Sequence, residues 1–318
     1  MPSAGIVVVR GSGASIMPYV KSRRLAGRQG RGNSSSAAGS RRLRLLRCEL
    51  RLRGRRSGRG YAGPAAAARP HGRCRSGSVV IRIKPGVHRQ VAVIVVGVVY
   101  ASSPCNESWT AAESPTVSVL APDFIAKRLT FQNTFGASGP AVAMRVAGDK
   151  GRVLRLQDTL LDDTGRHYYR GCYIEGGTDF VFGNARALFD KCHLHSTSLV
   201  GGAFTAHKRS AESEDTGFSF VGCKLTGVGK GTSILGRPWG PYSRVVLALS
   251  YMSSTVRPEG WDDWSDPAKQ RTAFYGQYQC YGEGSKADGR VAWSRDLSQA
   301  EAARFITKVW VGGQEWLR

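Results

Sequence analysis

The sequence predicts an all-β chain wound as a parallel β-helix, a solenoid of stacked coils. Three observations lead there. From Ser78 onward the chain is a series of short Val-, Ile- and Phe-rich runs broken by Gly, with little helical periodicity. A six-residue unit recurs as Gly171-Cys-Tyr-Ile-Glu-Gly176, Lys191-Cys-His-Leu-His-Ser196 and Gly222-Cys-Lys-Leu-Thr-Gly227. Finally, Asp158 and Asp179 lie one coil's length apart, each in an apolar stretch; a coil of such a solenoid takes roughly 20–25 residues.

Each recurring unit reads as a strand. Alternation puts Cys172 and Ile174, Cys192 and Leu194, and Cys223 and Leu225 on one face, with Tyr173, His193 and Lys224 on the other. Cysteines repeated in this way read as small core residues stacked in a ladder. The seven cysteines form no CxxC pair, so a zinc ribbon or thioredoxin-like motif is unsupported. In a solenoid, adjacent coils lie about 4.8 Å apart, so Asp158 and Asp179 are expected as neighbours on one sheet face. Carboxylates that close seldom both ionise unless a cation intervenes. One then serves as acid and the other as base or nucleophile. Leu235-Gly-Arg-Pro-Trp239 offers the cation in Arg237.

The formal charge of +23 is unevenly spread. Residues 1–90 carry 21 Lys and Arg against one acid, Glu49, while residues 91–318 carry 25 against 22. Two regions follow: an Arg/Gly/Ala-rich stretch over 1–77, expected to be disordered or foreign to the fold, and a β-helix domain over 78–318. The basic stretch admits a polyanion- or RNA-binding reading. The charge-block composition favours plain disorder over it. Val91–Ala101 is apolar but too short to span a membrane, and Ile6–Val9 is too brief for the core of a signal peptide. Asp163-Thr-Gly165 reads as a turn, since aspartic-protease chemistry needs two such triplets. His193 and His195 lack a third metal ligand in reach by sequence and read as solvent-facing. His207-Lys-Arg209 either lines a groove or forms a solvated loop.

Gln157-Asp-Thr-Leu160, Gly171 to Gly183 (with Gly-Gly-Thr-Asp-Phe-Val-Phe-Gly at its end) and Leu235-Gly-Arg-Pro-Trp239 resemble the signature blocks of plant pectinesterases. So do Ser78-Val-Val-Ile-Arg-Ile-Lys-Pro-Gly-Val87 and Leu129-Thr-Phe-Gln-Asn-Thr-Phe135. The resemblance runs almost continuously over 106–318. It implies a right-handed, single-stranded parallel β-helix that hydrolyses galacturonate methyl esters without metal or cofactor. By position it implies Asp179 as nucleophile, Asp158 as general acid and then base, Gln157 as oxyanion donor, and Arg237 as the guanidinium orienting Asp179. Trp239, Phe180 and Trp261 are implied as substrate contacts. The implied partners are pectin and a proteinaceous inhibitor, with no membrane and no nucleic acid. The implied location is the cell wall after secretion.

The sequence departs from the family in two places near the site. Pro140 stands where many members have a second oxyanion Gln, and proline supplies neither a side-chain amide nor a backbone donor. One lost donor is worth about 3 kcal/mol of transition-state stabilisation. The stretch 150–156 is shorter than the family's and precedes Asp158 directly, which bears on strand register. These departures frame an alternative reading, a relative that binds pectin without turning it over.

Overall fold

The structure is a computed structural model that describes residues 5–11, 50–52, 77–83, 115, 117–120, 122–127, 142–154 and 160–317. Its strands form a right-handed parallel β-helix with three sheets, of eleven, six and four strands among the described residues. One coil shows the path. Arg166–Arg170 lies in the eleven-stranded sheet, Tyr173–Gly176 in the four-stranded sheet and Thr178–Gly183 in the six-stranded sheet. Arg186–Asp190 then returns to the first, in parallel register with Arg166–Arg170. Gly217–Val221, Arg244–Ala248 and Phe274–Tyr278 continue that sheet, each parallel to the last.

Period-two alternation sends one side chain of each pair into the solenoid. Cys172, Cys192 and Cys223 are buried free thiols, and they stack with Ile174, Leu194 and Leu225 in the central core. Flat rings continue the stacking: Tyr169, Phe189 and Phe220 lie face to face at centroid distances of 4.6 and 4.4 Å. Identical positions in successive coils thus pack like on like, the expected economy of a quasi-one-dimensional fold.

The first end of the eleven-stranded sheet is antiparallel. Gly5–Gly11 pairs with Phe124–Lys127 on one side and with Gly77–Ile83 on the other, and Leu50–Leu52 pairs with Gly77–Ile83. Two strands therefore fall inside the stretch 1–77. Residues 155–159 are all that separate Gly151–Leu154 from Leu160–Asp162, whereas 171–177 and 191–201 separate the corresponding strands of the next two coils. Among the described residues the four-stranded sheet starts only at Tyr173–Gly176. No helix there is long and apolar enough to cross a membrane.

Two further features matter below. Residues 295–317 fold back over the outside of the eleven-stranded sheet, where Leu297, Phe305 and Trp310 pack on Tyr168, Leu188 and Val246. Trp310 Nε1 donates to the Ala187 carbonyl at 3.0 Å and Ser219 Oγ to that of Phe305 at 2.7 Å. The second feature is a buried ionic knot. Asp162 Oδ1 accepts from Tyr169 Oη at 2.6 Å and faces His167 Nδ1 at 2.5 Å, while His167 Nε2 meets the Gly148 carbonyl at 2.8 Å. Both imidazole nitrogens face acceptors, so the doubly protonated ring satisfies both. Burial pulls the His167 pKa down, but the adjoining Asp162 carboxylate and the Gly148 carbonyl outweigh it and leave the pKa raised.

Candidate active site

The site is built on the six-stranded sheet, around Asp179 in Thr178–Gly183. Asp179 has φ 51°, in the left-handed region, which Asp tolerates better than most residues. The pairing of this strand with Gly202–His207 shifts register between Thr178 and Val181. The consequence is a broken alternation. Phe180 and Val181 both enter the core, and Phe182 turns outward to an external apolar cluster with Val142, Leu161, Ala206 and Trp264.

Arg237 lies two coils along, and its strand partner is Ala206, itself in line with Phe182. Its side chain reaches back across the Ala206 rung to Asp179. Nε donates to Oδ1 at 3.0 Å and to Oδ2 at 3.2 Å, and Nη2 donates to Oδ2 at 2.6 Å. Such a forked pair fixes orientation as well as charge. Ala206, on the strand between them, presents only a methyl group at the rung of Arg237. From the other side the Trp264 ring stacks on Arg237, its centroid 4.0 Å from Cζ.

Burial pushes the Asp179 carboxyl above its ordinary range. The hydrogen bonds and charge of Arg237 pull it back, and Asp262 adds a further upward push. Arg237 in turn is raised, chiefly by its bonds to Asp179. The result is a half-buried carboxylate held in one orientation by a cation, with its charge less stabilised than in water. That is the condition of a usable nucleophile or base.

Two of the expected substrate contacts, Phe180 and Trp261, lie buried in the structure. Phe180 is 0 % exposed, with its ring 5.3 Å from Phe204 in the core, because the left-handed turn at Asp179 inverts the alternation after it. Trp261 is 2 % exposed: it bridges Gly236, stacks on Tyr275 at 4.5 Å and donates to Ser294 Oγ. Trp264 covers Arg237, and Phe182 packs between Trp264 and Trp239. Trp239 is 39 % exposed, lies 6.1 Å from Phe182, and carries Lys208 Nζ 4.5 Å above its ring. Trp264 is the second tryptophan of the Gly-Trp-Asp-Asp-Trp run, three residues after Trp261, and is partly buried against the outer apolar cluster.

Gln157, Asp158 and Pro140 lie outside the described residues. Of His207-Lys-Arg209, only Lys208 faces the groove. His207 is buried, with its pKa depressed to about 3 by burial, so the ring is neutral. Its Nδ1 accepts from the backbone of Arg244 at 3.2 Å. Arg209 is buried and holds the carbonyls of Glu212, Glu214 and Tyr242. His193 and His195 both bond to Thr226 Oγ1, each at 2.7 Å. Asp163 sits at the turn before Gly165 and accepts a forked pair from Arg145.

Comparison with known proteins gives a consistent result. The family model described as Pectinesterase matches residues 76–314. An Arabidopsis thaliana protein described as "Putative pectinesterase 11" is 46 % identical over 253 residues, covering 75 % of this chain and 71 % of its own. Pectinesterase QRT1 from the same plant is 39 % identical over 272 residues, covering 76 % and 71 %. Among solved structures, a pectin methylesterase from carrot superposes with a TM-score of 0.64 at 31 % identity, over 68 % of this chain and 74 % of that one.

Proposed function

Because the chain belongs to the pectinesterase family, we propose that it hydrolyses the methyl esters of homogalacturonan to pectate and methanol, with Asp179 as the nucleophile. The observation that carries this reading is the forked Arg237–Asp179 pair beside Trp239, Phe182 and Trp264. An Asp179 oxygen attacks the ester carbonyl carbon, and Gln157 donates to the resulting oxyanion. Collapse expels methanol, which takes its proton from the Asp158 carboxyl, and leaves a mixed anhydride on Asp179. Asp158, now ionised, removes a proton from water. The hydroxide cleaves the anhydride to release galacturonate and regenerate Asp179. Leu160 pairs with Val181 and Leu161 with Phe182, the same sequence offset that separates Asp158 from Asp179. That offset supports Asp158 acting as the neighbour of Asp179 across adjacent coils. The exposed face of Trp239 suits a pyranose ring, and Lys208 suits a uronate carboxylate.

The location proposed is the cell wall, with a proteinaceous inhibitor as a partner, and the catalytic unit is assigned to 78–318. The decisive measurement is methanol release from highly methyl-esterified pectin by the purified full chain. Release no greater than that of the Asp179→Asn variant sinks the proposal.

Two side predictions test the geometry. Ionised Asp179 is the reactive form, so activity rises with pH through its pKa. Arg237→Gln removes the cation that lowers that pKa while burial and Asp262 still raise it. The acid limb of kcat/KM is expected to move to higher pH, and the maximum to fall about 100-fold; an unmoved acid limb refutes the role. Ala206→Leu puts a larger side chain on the rung beside Arg237. It is expected to cut kcat/KM by about tenfold or more at a stability cost of roughly 1–3 kcal/mol, read from paired kinetics and melting.

A further inference from the structure

The outer face of the four-stranded sheet is not used by this chemistry, yet its side chains are in strict register. Tyr173 pairs with His193, His193 with Lys224 and Lys224 with Tyr251, and Tyr251 bridges to Tyr281. One residue per coil, about 4.8 Å apart, gives a row about 19 Å long parallel to the solenoid axis. The rings touch along it: Tyr173 meets His193 edge-on at 5.0 Å, and Tyr251 lies 5.6 Å from Tyr281. Tyr281 is 60 % exposed, and Lys224 is exposed at the centre of the row.

The flanking residues hold this row in place. Thr226 Oγ1 binds His193 and His195 together, and Tyr173 Oη donates to Glu175 at 2.7 Å, which occupies the neighbouring acid. Burial, with Lys224 and His195 adding to it, lowers the His193 pKa, so that ring is a neutral polar surface near pH 7. Positive charge on this face then comes from Lys224 and from Lys191, exposed at the corner before His193. Rings at both ends, with cations at and beside the middle, match a chain that repeats flat sugar faces and carboxylates along its length.

We propose that this face is a second polysaccharide site that binds an unesterified, anionic galacturonan strand along the solenoid axis. Such a strand is the product of the proposed reaction. The choice of galacturonan rests on the proposed function, whereas the site itself does not require turnover. A surface of this kind would hold the enzyme on already de-esterified stretches.

The test is binding of the full chain to polygalacturonate, which has no ester to cleave, against a neutral galactan. Parent protein, Tyr281→Ala and Lys224→Ala are compared, each checked by circular dichroism for unchanged β-structure. Each substitution is expected to weaken polygalacturonate binding roughly fivefold, and Lys224→Ala to reduce its salt dependence as well. Hydrolysis of a short methyl-esterified oligogalacturonide should stay at the parental rate in both. Variants that bind polygalacturonate like the parent, or a parent that binds galactan equally well, overturn the proposal. A parent that binds through Tyr281 yet releases no methanol would leave this site standing and overturn the esterase assignment instead.

Discussion

Asp179→Asn is expected to lower methanol release from pectin by about 10⁴-fold or more, with KM little changed. The amide has the shape of the carboxylate and none of its nucleophilicity, so the step that forms the mixed anhydride disappears while the aromatic contacts to the sugar remain. Folding should not suffer. Asp179 pays for its burial with a raised pKa, so the neutral isostere removes a poorly solvated charge at the same time as it loses the Arg237 pair. The two effects oppose each other, and the melting temperature is expected to move by only a few degrees. Single-turnover assays with methyl-esterified pectin provide the check. Activity within tenfold of the parent would place the nucleophile elsewhere.

Asp162→Ala is expected to cost about 3–5 kcal/mol of stability, because it strands the buried His167 without its counter-ion and removes the acceptor of the Tyr169 hydroxyl. The pH dependence gives a second reading. His167 has a raised pKa in the folded protein against an ordinary value near 6.5. Its contribution to stability is therefore complete below the unfolded value and is lost as pH rises through the folded one. Denaturant melts from acid to alkaline pH should show that decline in the parent. In Asp162→Asn, which keeps the shape but not the charge, the decline should flatten. An equal pH slope in both proteins would mean that His167 is not the cation.

The fold was legible because a solenoid repeats itself. The Cys-x-aliphatic units advertise their own stacking, and a period-two pattern needs no distant information to show which side faces in. Arg237 and Asp179 were legible for a different reason, since each is embedded in a run too unusual to be incidental. What the sequence hid depends on backbone detail. Phe180 and Phe182 are interchangeable on paper, and only the left-handed conformation of Asp179 decides that the first is core and the second is wall. The bridge from Gly236 buries Trp261 and leaves Trp264 to cover Arg237. Ala206 gave no signal at all, because its place beside Arg237 comes from pairing between distant strands. The antiparallel pairing of Gly5–Gly11 was equally hidden, since its partners lie far along the chain.

The segment 295–317 has a consequence for how the molecule comes apart. A stack whose units touch only their neighbours can fray from either end, losing one unit at a time. Here a single strap lies across Tyr168, Leu188, Ser219 and Val246, in four successive rungs. No rung beneath it can leave without lifting the strap from the other three. Unfolding across those coils should therefore be concerted, with amide hydrogens throughout exchanging by one shared opening. A protease that finds the strap's attachment loosened would meet the whole block at once.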